Sequence, residues 1–212
     1  MTEEAGKRAI EKALLYSKHE WYASDKNVMH GIDKNGRYVD TPDITWRGEE
    51  FDCGWWKPGL LNVGIPYGWG NASSLEEFDL GIAEGKYAGN VPEDTSRYGS
   101  HECVGVDCSG LVTVCWELPK KIRARDIPEI ADLIDIKDIR QGDVFAISSH
   151  VMLFKEFINK DKCKVRIIDS TRSIGKVSQR EFLLEDLLCQ GYRVYRKNEY
   201  CSEARNFSKI KK

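Results

Sequence analysis

The residues best suited to chemistry stand in two blocks. The first, Gly105-Val106-Asp107-Cys108-Ser109-Gly110-Leu111-Val112, places an Asp in N-cap position, then a Cys, two small residues and an apolar run. That order predicts a buried helix whose first turn carries Cys108. The orphan N–H groups and positive dipole end of such a turn favour a thiolate. The second block, Gly142-Asp143-Val144-Phe145-Ala146-Ile147-Ser148-Ser149-His150-Val151-Met152-Leu153, follows about forty residues later. It sets His150 at the head of an apolar strand, as a base for the thiol. A free thiol of pKa ~8.5 is mostly protonated at neutral pH, so a nucleophilic Cys108 needs both the helix end and an adjacent imidazolium. His150 would then return its proton to a leaving amine. An acceptor on the far ring nitrogen would set the tautomer. Asp169, at the end of the strand expected at 165–168, suits that task, and Glu156 or Asn159 would substitute in another strand register. Taken singly, each residue has a plainer structural reading. A Cys heading an apolar helix is more often core, and Cys115, seven residues on, reads as core outright. The ordered combination gives the catalytic reading its weight.

The elements that must position these groups can be read coarsely. Residues 3–22 form an amphipathic pattern with Ala5, Ile10, Leu14 and Trp21 along one side and Thr2 as a cap. His19 falls on its surface. From 23 to 66 the chain is irregular, with turns at Asp33-Lys34-Asn35-Gly36 and Thr41-Pro42-Asp43 and short strands expected at 37–39 and 43–46. Cys53-Gly54-Trp55-Trp56-Lys57-Pro58-Gly59 is aromatic-dense, suiting a loop packed over the core or the wall of a cleft. Ser73-Ser74-Leu75-Glu76-Glu77-Phe78 carries a capping-box helix start. The Cys108 helix stops at Leu118-Pro119, and a helical turn is expected around 127–133. Strands are expected at 144–147, 151–157, 164–168 and 192–196, with a helix at 181–188 between the last two. Helices first, then strands on short turns, indicate an α+β fold with an antiparallel sheet.

Composition limits the function classes. The 212 residues are 41% hydrophobic and 31% charged, enough for a packed core in one domain. A net charge of −2 argues against electrostatic capture of nucleic acid. No apolar run approaches the ~18 residues of a membrane span. Met-Thr-Glu-Glu-Ala-Gly-Lys-Arg lacks the basic-then-apolar order of a secretory signal, so the expected setting is the cytoplasm, or export by a route without a recognisable signal. The cysteines at 53, 103, 108, 115, 163, 189 and 201 are odd in number and contain no Cys-x-x-Cys pair, which reads as reduced thiols rather than a disulfide framework. His101, Cys103 and Cys108 lack zinc-site spacing, and His30 and His101 read as polar loop residues. No metal, cofactor or membrane partner is expected, and no oligomeric state follows from the sequence.

Asp107-Cys108-Ser109-Gly110-Leu111-Val112, then Gly142-Asp143-Val144 leading to His150-Val151, then Ile168-Asp169-Ser170, resembles the NlpC/P60 cysteine peptidases. Upstream, Pro66-Tyr67-Gly68-Trp69-Gly70 is similar to the Tyr-x-Trp-Gly element preceding the nucleophile in that family. The resemblance covers residues 64–175. It implies a papain-like α+β fold in which a nucleophile-bearing helix packs on an antiparallel β-sheet. It also implies hydrolysis of peptidoglycan-derived peptides, often at the bond between γ-D-glutamate and a diamino acid. Carried over by position, Cys108 is the nucleophile, His150 the base and Asp169 the residue orienting it. Tyr67 matches the tyrosine near the nucleophile, whose hydroxyl would join the Cys108 N–H around an oxyanion. Asp107 and Ser109 match positions that meet the substrate's N-terminal amine. The resemblance departs at two points: the third position is more often His, Asn or Gln, and the gap from Trp69 to Asp107 is longer than in compact members. The implied organisation is an N-terminal extension, 1–60, suited to capping the cleft, a catalytic domain, 61–200, with an insert at 72–104, and a basic tail, 201–212. Two alternatives stand beside the peptidase reading: a cysteine amidase or acyltransferase acting on a non-cell-wall peptide or lipid amide, and a non-enzymatic binding module.

Overall fold

A computed structural model of the chain describes residues 1–46, 54–92 and 99–198. Helix α1 spans Glu3–Lys18; the Thr2 hydroxyl accepts the Ala5 N–H at 3.2 Å, and Glu3 and Glu4 face the positive helix end. It buries Ala9, Ile10, Ala13 and Tyr16. The helix stops short of residue 22 because His19 is already extended, and Trp21 turns inward from a strand instead. That strand, β1 (Glu20–Tyr22), is followed by β2 (His30–Ile32), β3 (Tyr38–Asp40) and β4 (Leu61–Val63). β1 pairs with β4 and β2 with β3, both antiparallel. Residues 43–46 form no strand: Asp43 makes a single bridge to Trp56 and turns the chain with its own carboxylate. The capping box at Ser74 and Glu77 opens α2 (Leu75–Glu84) as expected. β5 (Tyr87–Ala88) then runs parallel to β6 (Cys103–Val104).

The second half holds α3 (Cys108–Cys115), α4 (Ile127–Ile130), β7 (Ala131–Leu133), β8 (Val144–Ala146), β9 (Val151–Phe157), β10 (Lys164–Thr171), β11 (Lys176–Leu183), α5 (Leu184–Cys189) and β12 (Arg193–Lys197). Six of these strands form one sheet in the order β11-β10-β9-β8-β12-β7, antiparallel throughout. The fold is α+β with an antiparallel sheet. Residues 181–183, expected at the start of a helix, complete β11, and the helix begins only at Leu184. Their strand state follows from eight continuous pairings with β10, which outweigh local helix preference.

Alternation along the strands supplies two cores. Val144, Ala146, Val151, Leu153, Ile168 and Val177 join residues of α1 and α3 in one cluster. Phe145, Met152, Phe154, Val165, Ile167 and Val194 join Leu187 of α5 in the other. α1 lies against α3, β9, β10 and β11, so residues 3–18 share a core with Cys108. Cys53, Cys201 and the tail at 201–212 lie outside the described residues.

Candidate active site

Cys108 is the first residue of α3, and Asp107 is its N-cap. Asp107 Oδ1 accepts the Gly110 N–H at 2.6 Å and the Ser109 hydroxyl at 3.0 Å. Its Oδ2 accepts the Gly70 N–H at 2.9 Å, and the Lys121 ammonium lies 2.9 Å from the same oxygen. The carboxylate therefore ties the Tyr67-Gly68-Trp69-Gly70 segment to the start of α3. The Asp107 N–H donates to Asn71 O at 3.1 Å, and a Cβ on Gly110 would stand 2.0 Å from that carbonyl oxygen. Only glycine permits this approach. Cys108 is buried, and its N–H, in the first turn, has no intrahelical acceptor. Val106 O accepts the Ser170 hydroxyl at 2.7 Å, which fastens β10 to the helix start beside Asp169.

His150 is delivered by a tight turn between β8 and β9, in which the Ile147 N–H donates to His150 O at 2.9 Å. Its Nε2 lies 2.8 Å from Asp169 Oδ2, and the Cys108 side chain stands close enough to act on the charge of the same ring. With Nε2 committed, Nδ1 is the ring nitrogen available to the thiol. Asp169 is fully buried and receives a second partner: Arg180 Nε donates to Oδ1 at 3.0 Å, and Arg180 Nη2 donates to Oδ2. Asp169 faces Ser178 across the β10–β11 ladder, so Arg180 is its diagonal neighbour on the same face. Burial pulls the His150 imidazolium toward deprotonation. Hydrogen bonds to Asp169 and Cys108, with their charges, outweigh it and hold the ring up at about 10. Burial likewise opposes the Asp169 charge, but His150 and Arg180 hold that carboxyl below its ordinary value. Glu156 and Asn159 are engaged elsewhere, with Arg166 and with Cys163 and Lys164 respectively.

Tyr67 is buried beside the pair. Its phenol is pushed well up by burial and by the neighbouring Asp107 and Cys108, against an opposing pull from Arg172, so it stays a donor. Trp46, Val91 and Trp69 pack around it. Trp46 is held by a bond from its Nε1 to Asp40 Oδ2 at 2.7 Å, and His30 binds Asp40 through Nδ1 while its Nε2 reaches Asp43 and Thr45 at 3.0 Å. Thr41 and Asp43 are buried with them, so residues 40–46 are folded back over Tyr67. Trp55 Nε1 donates to Gly175 O at 2.9 Å, bringing part of the aromatic stretch against the turn after β10.

Cys108, His150, Asp169, Tyr67, Asp107 and Ser109 therefore lie in one neighbourhood. Sequence reasoning missed Arg180, Lys121, Trp46 and Tyr192; the buried Tyr192 phenol is raised by burial, with Asp169 the next largest influence. The alternation Ser178-Gln179-Arg180-Glu181-Phe182 was the available signal for Arg180, but polar residues on both faces hide a strand. Lys121 had no signal, since a lysine in a charged connection reads as solvated. Its Nζ also donates to Ser109 Oγ at 3.2 Å, so Asp107 and Ser109 both have an internal cation. Burial pushes the Cys103 thiol up to about 12 and raises that of Cys115, whereas Cys163 and Cys189 are exposed. Among the described residues no three His, Cys, Asp or Glu side chains are grouped to hold a metal, and no helix is long and apolar enough to cross a membrane. A scan against protein-family models finds no matching family, and a search of curated proteins finds no match.

Proposed function

We propose that the chain is a papain-like cysteine peptidase or amidase that hydrolyses peptidoglycan-derived peptides at a γ-D-glutamyl–diamino acid bond. The observation that carries the chemistry is the array of Cys108 opening α3, the half-buried His150 beside it, and the buried Asp169 at 2.8 Å from His150 Nε2. The substrate class rests on the resemblance to the NlpC/P60 peptidases. In the first step the Cys108 sulfur attacks the amide carbon, and the oxygen takes up charge facing the Cys108 N–H and the Tyr67 hydroxyl. Collapse breaks the C–N bond, and His150 gives its proton to the departing amine. His150 then takes a proton from water, which attacks the thioester carbon. The C–S bond breaks, the carboxylic acid leaves, and the imidazolium proton returns to the Cys108 sulfur or is held in the thiolate–imidazolium pair. Asp169 stays ionised and stabilises the imidazolium at each stage. Incubation with L-Ala-γ-D-Glu-diamino-acid peptides should release fragments, and Cys108→Ala should abolish release. No turnover across a muropeptide panel would overturn the substrate claim.

A second reading, an amidase or acyltransferase on another peptide or lipid amide, is favoured by the Lys121 ammonium on Asp107 and Ser109. That cation competes with a substrate amine for the same acceptors. Comparing free and N-acetylated peptides separates the two: a preference for the blocked form supports the second reading.

A further inference from the structure

A hollow of about 370 Å³ opens beside the catalytic turn, lined among others by Arg125, Pro128, Ser148, Arg193 and Tyr195. Two connections place it near His150 and on the side of α3. Ser148 belongs to the turn closed by the Ile147-to-His150 hydrogen bond. Arg193 pairs with Ala146 across β8 and β12 and shares its face. Ala124 and Ala146, which also line the hollow, belong to the apolar cluster containing Cys108, and Tyr195 packs on it. The hollow thus lies on the same face of the sheet as the nucleophile helix.

Its lining is chemically one-sided. Among the described residues it offers two guanidinium groups and two hydroxyls and no carboxylate. The nearest acid in sequence, Asp126, is held by Arg123 through three bonds of 2.8–3.2 Å. Asp126 also feels the Arg125 charge, but the Arg123 guanidinium is its main partner. In a chain of net charge −2, two arginines in a hollow whose described lining carries no carboxylate form a local site for an anion. The size suits a side chain or a short peptide arm rather than a polymer.

We propose that this hollow is a subsite for a carboxylate carried by the substrate, with Arg125 and Arg193 as its cationic partners and Ser148 and Tyr195 as hydroxyl donors. The inference rests on Cys108 being the nucleophile. It assigns the substrate class as an amide bearing an acidic group near the scissile bond. Carboxylate is favoured because a planar guanidinium fork matches its two oxygens.

The test uses the full chain and two isosteric alkylating probes, chloroacetyl-isoglutamine, which carries one carboxylate, and chloroacetyl-glutamine amide, which carries none, with labelling read peptide by peptide. The acidic-to-neutral rate ratio at Cys108 is compared with that at exposed Cys189, so differences in intrinsic thiol reactivity cancel. The expected ratio at Cys108 exceeds that at Cys189 by about ten-fold, the size of one charge-assisted contact. In R125Q/R193Q it falls to the Cys189 value, the single variants lie between, and raising the salt lowers the wild-type ratio. Both arginines are exposed, and Arg193 makes only a 3.4 Å bond to Tyr192 O, so the variants retain the fold. Rapid labelling of Cys108 with the same ratio in wild type and double variant overturns the subsite and leaves the nucleophile standing. Labelling of Cys108 no faster than Cys189 by either probe overturns both.

Discussion

At the residue scale, Asp169 holds the site together, because it binds His150 on one side and Arg180 on the other. Asp169→Asn keeps the shape and removes the charge, so kcat should fall on the order of 10³–10⁴-fold. The pH profile carries a sharper test. In the proposed mechanism the His150 imidazolium is the acid, so the alkaline limb should fall near pH 10, where that ring loses its proton. Asp169→Asn removes a bond that raises His150 and should move the limb to lower pH. Arg180→Gln removes a cation that offsets Asp169 and should move it upward, with a stability loss of about 2 kcal/mol because Asp169 keeps His150 as partner. Kinetics across pH 5–11 with both variants check the opposite signs. Stability follows the same linkage. The contribution of His150, raised above 6.5, is fully present below pH 6.5 and lost as pH rises through about 10. That of Asp169, lowered, is present above the ordinary carboxylate range and lost as pH falls.

At the element scale, two glycines set how closely backbones approach. Gly110 lets the first turn of α3 meet Asn71, and Gly6 lets α1 meet the turn before β8, where an added Cβ would stand 2.1 Å from Gln141 O. Both obstacles are backbone, so relief requires moving an element. Gly6→Ala should cost at least about 1–3 kcal/mol in thermal unfolding, with little change in Cys108 labelling. Gly110→Ala should cost a similar amount and also slow that labelling, because it displaces the segment that Asp107 clamps. The capping box of α2 and the N-cap of α3 were legible because each depends on residues three apart. β11 was not, since its strand state rests on a partner strand rather than on its own pattern.

At the scale of the molecule, α1 and β1 contribute Ala9, Ile10, Ala13, Tyr16 and Trp21 to the cluster that contains Cys108. A chain beginning at residue 61 would expose that apolar face, and its thermal unfolding should lose the cooperative transition seen for the full chain. A sharp transition in the truncated protein would contradict this. The same segment folds residues 40–46 over Tyr67, an arrangement fastened by His30, Asp40 and Asn90.

The sequence by itself determined what rests on short spacing: the Asp107 cap, Cys108 in a first helical turn, His150 before an apolar strand, and the α+β class. Only the tertiary structure decided which groups meet over long separations. The β10–β11 register brings Arg180 to Asp169, the connection after α3 returns Lys121 to Asp107 and Ser109, and the N-terminal fold-back seats Trp46 on Tyr67. The physical reason is that capping bonds and helical turns are local, whereas these contacts depend on strand register and on core packing shared between distant segments.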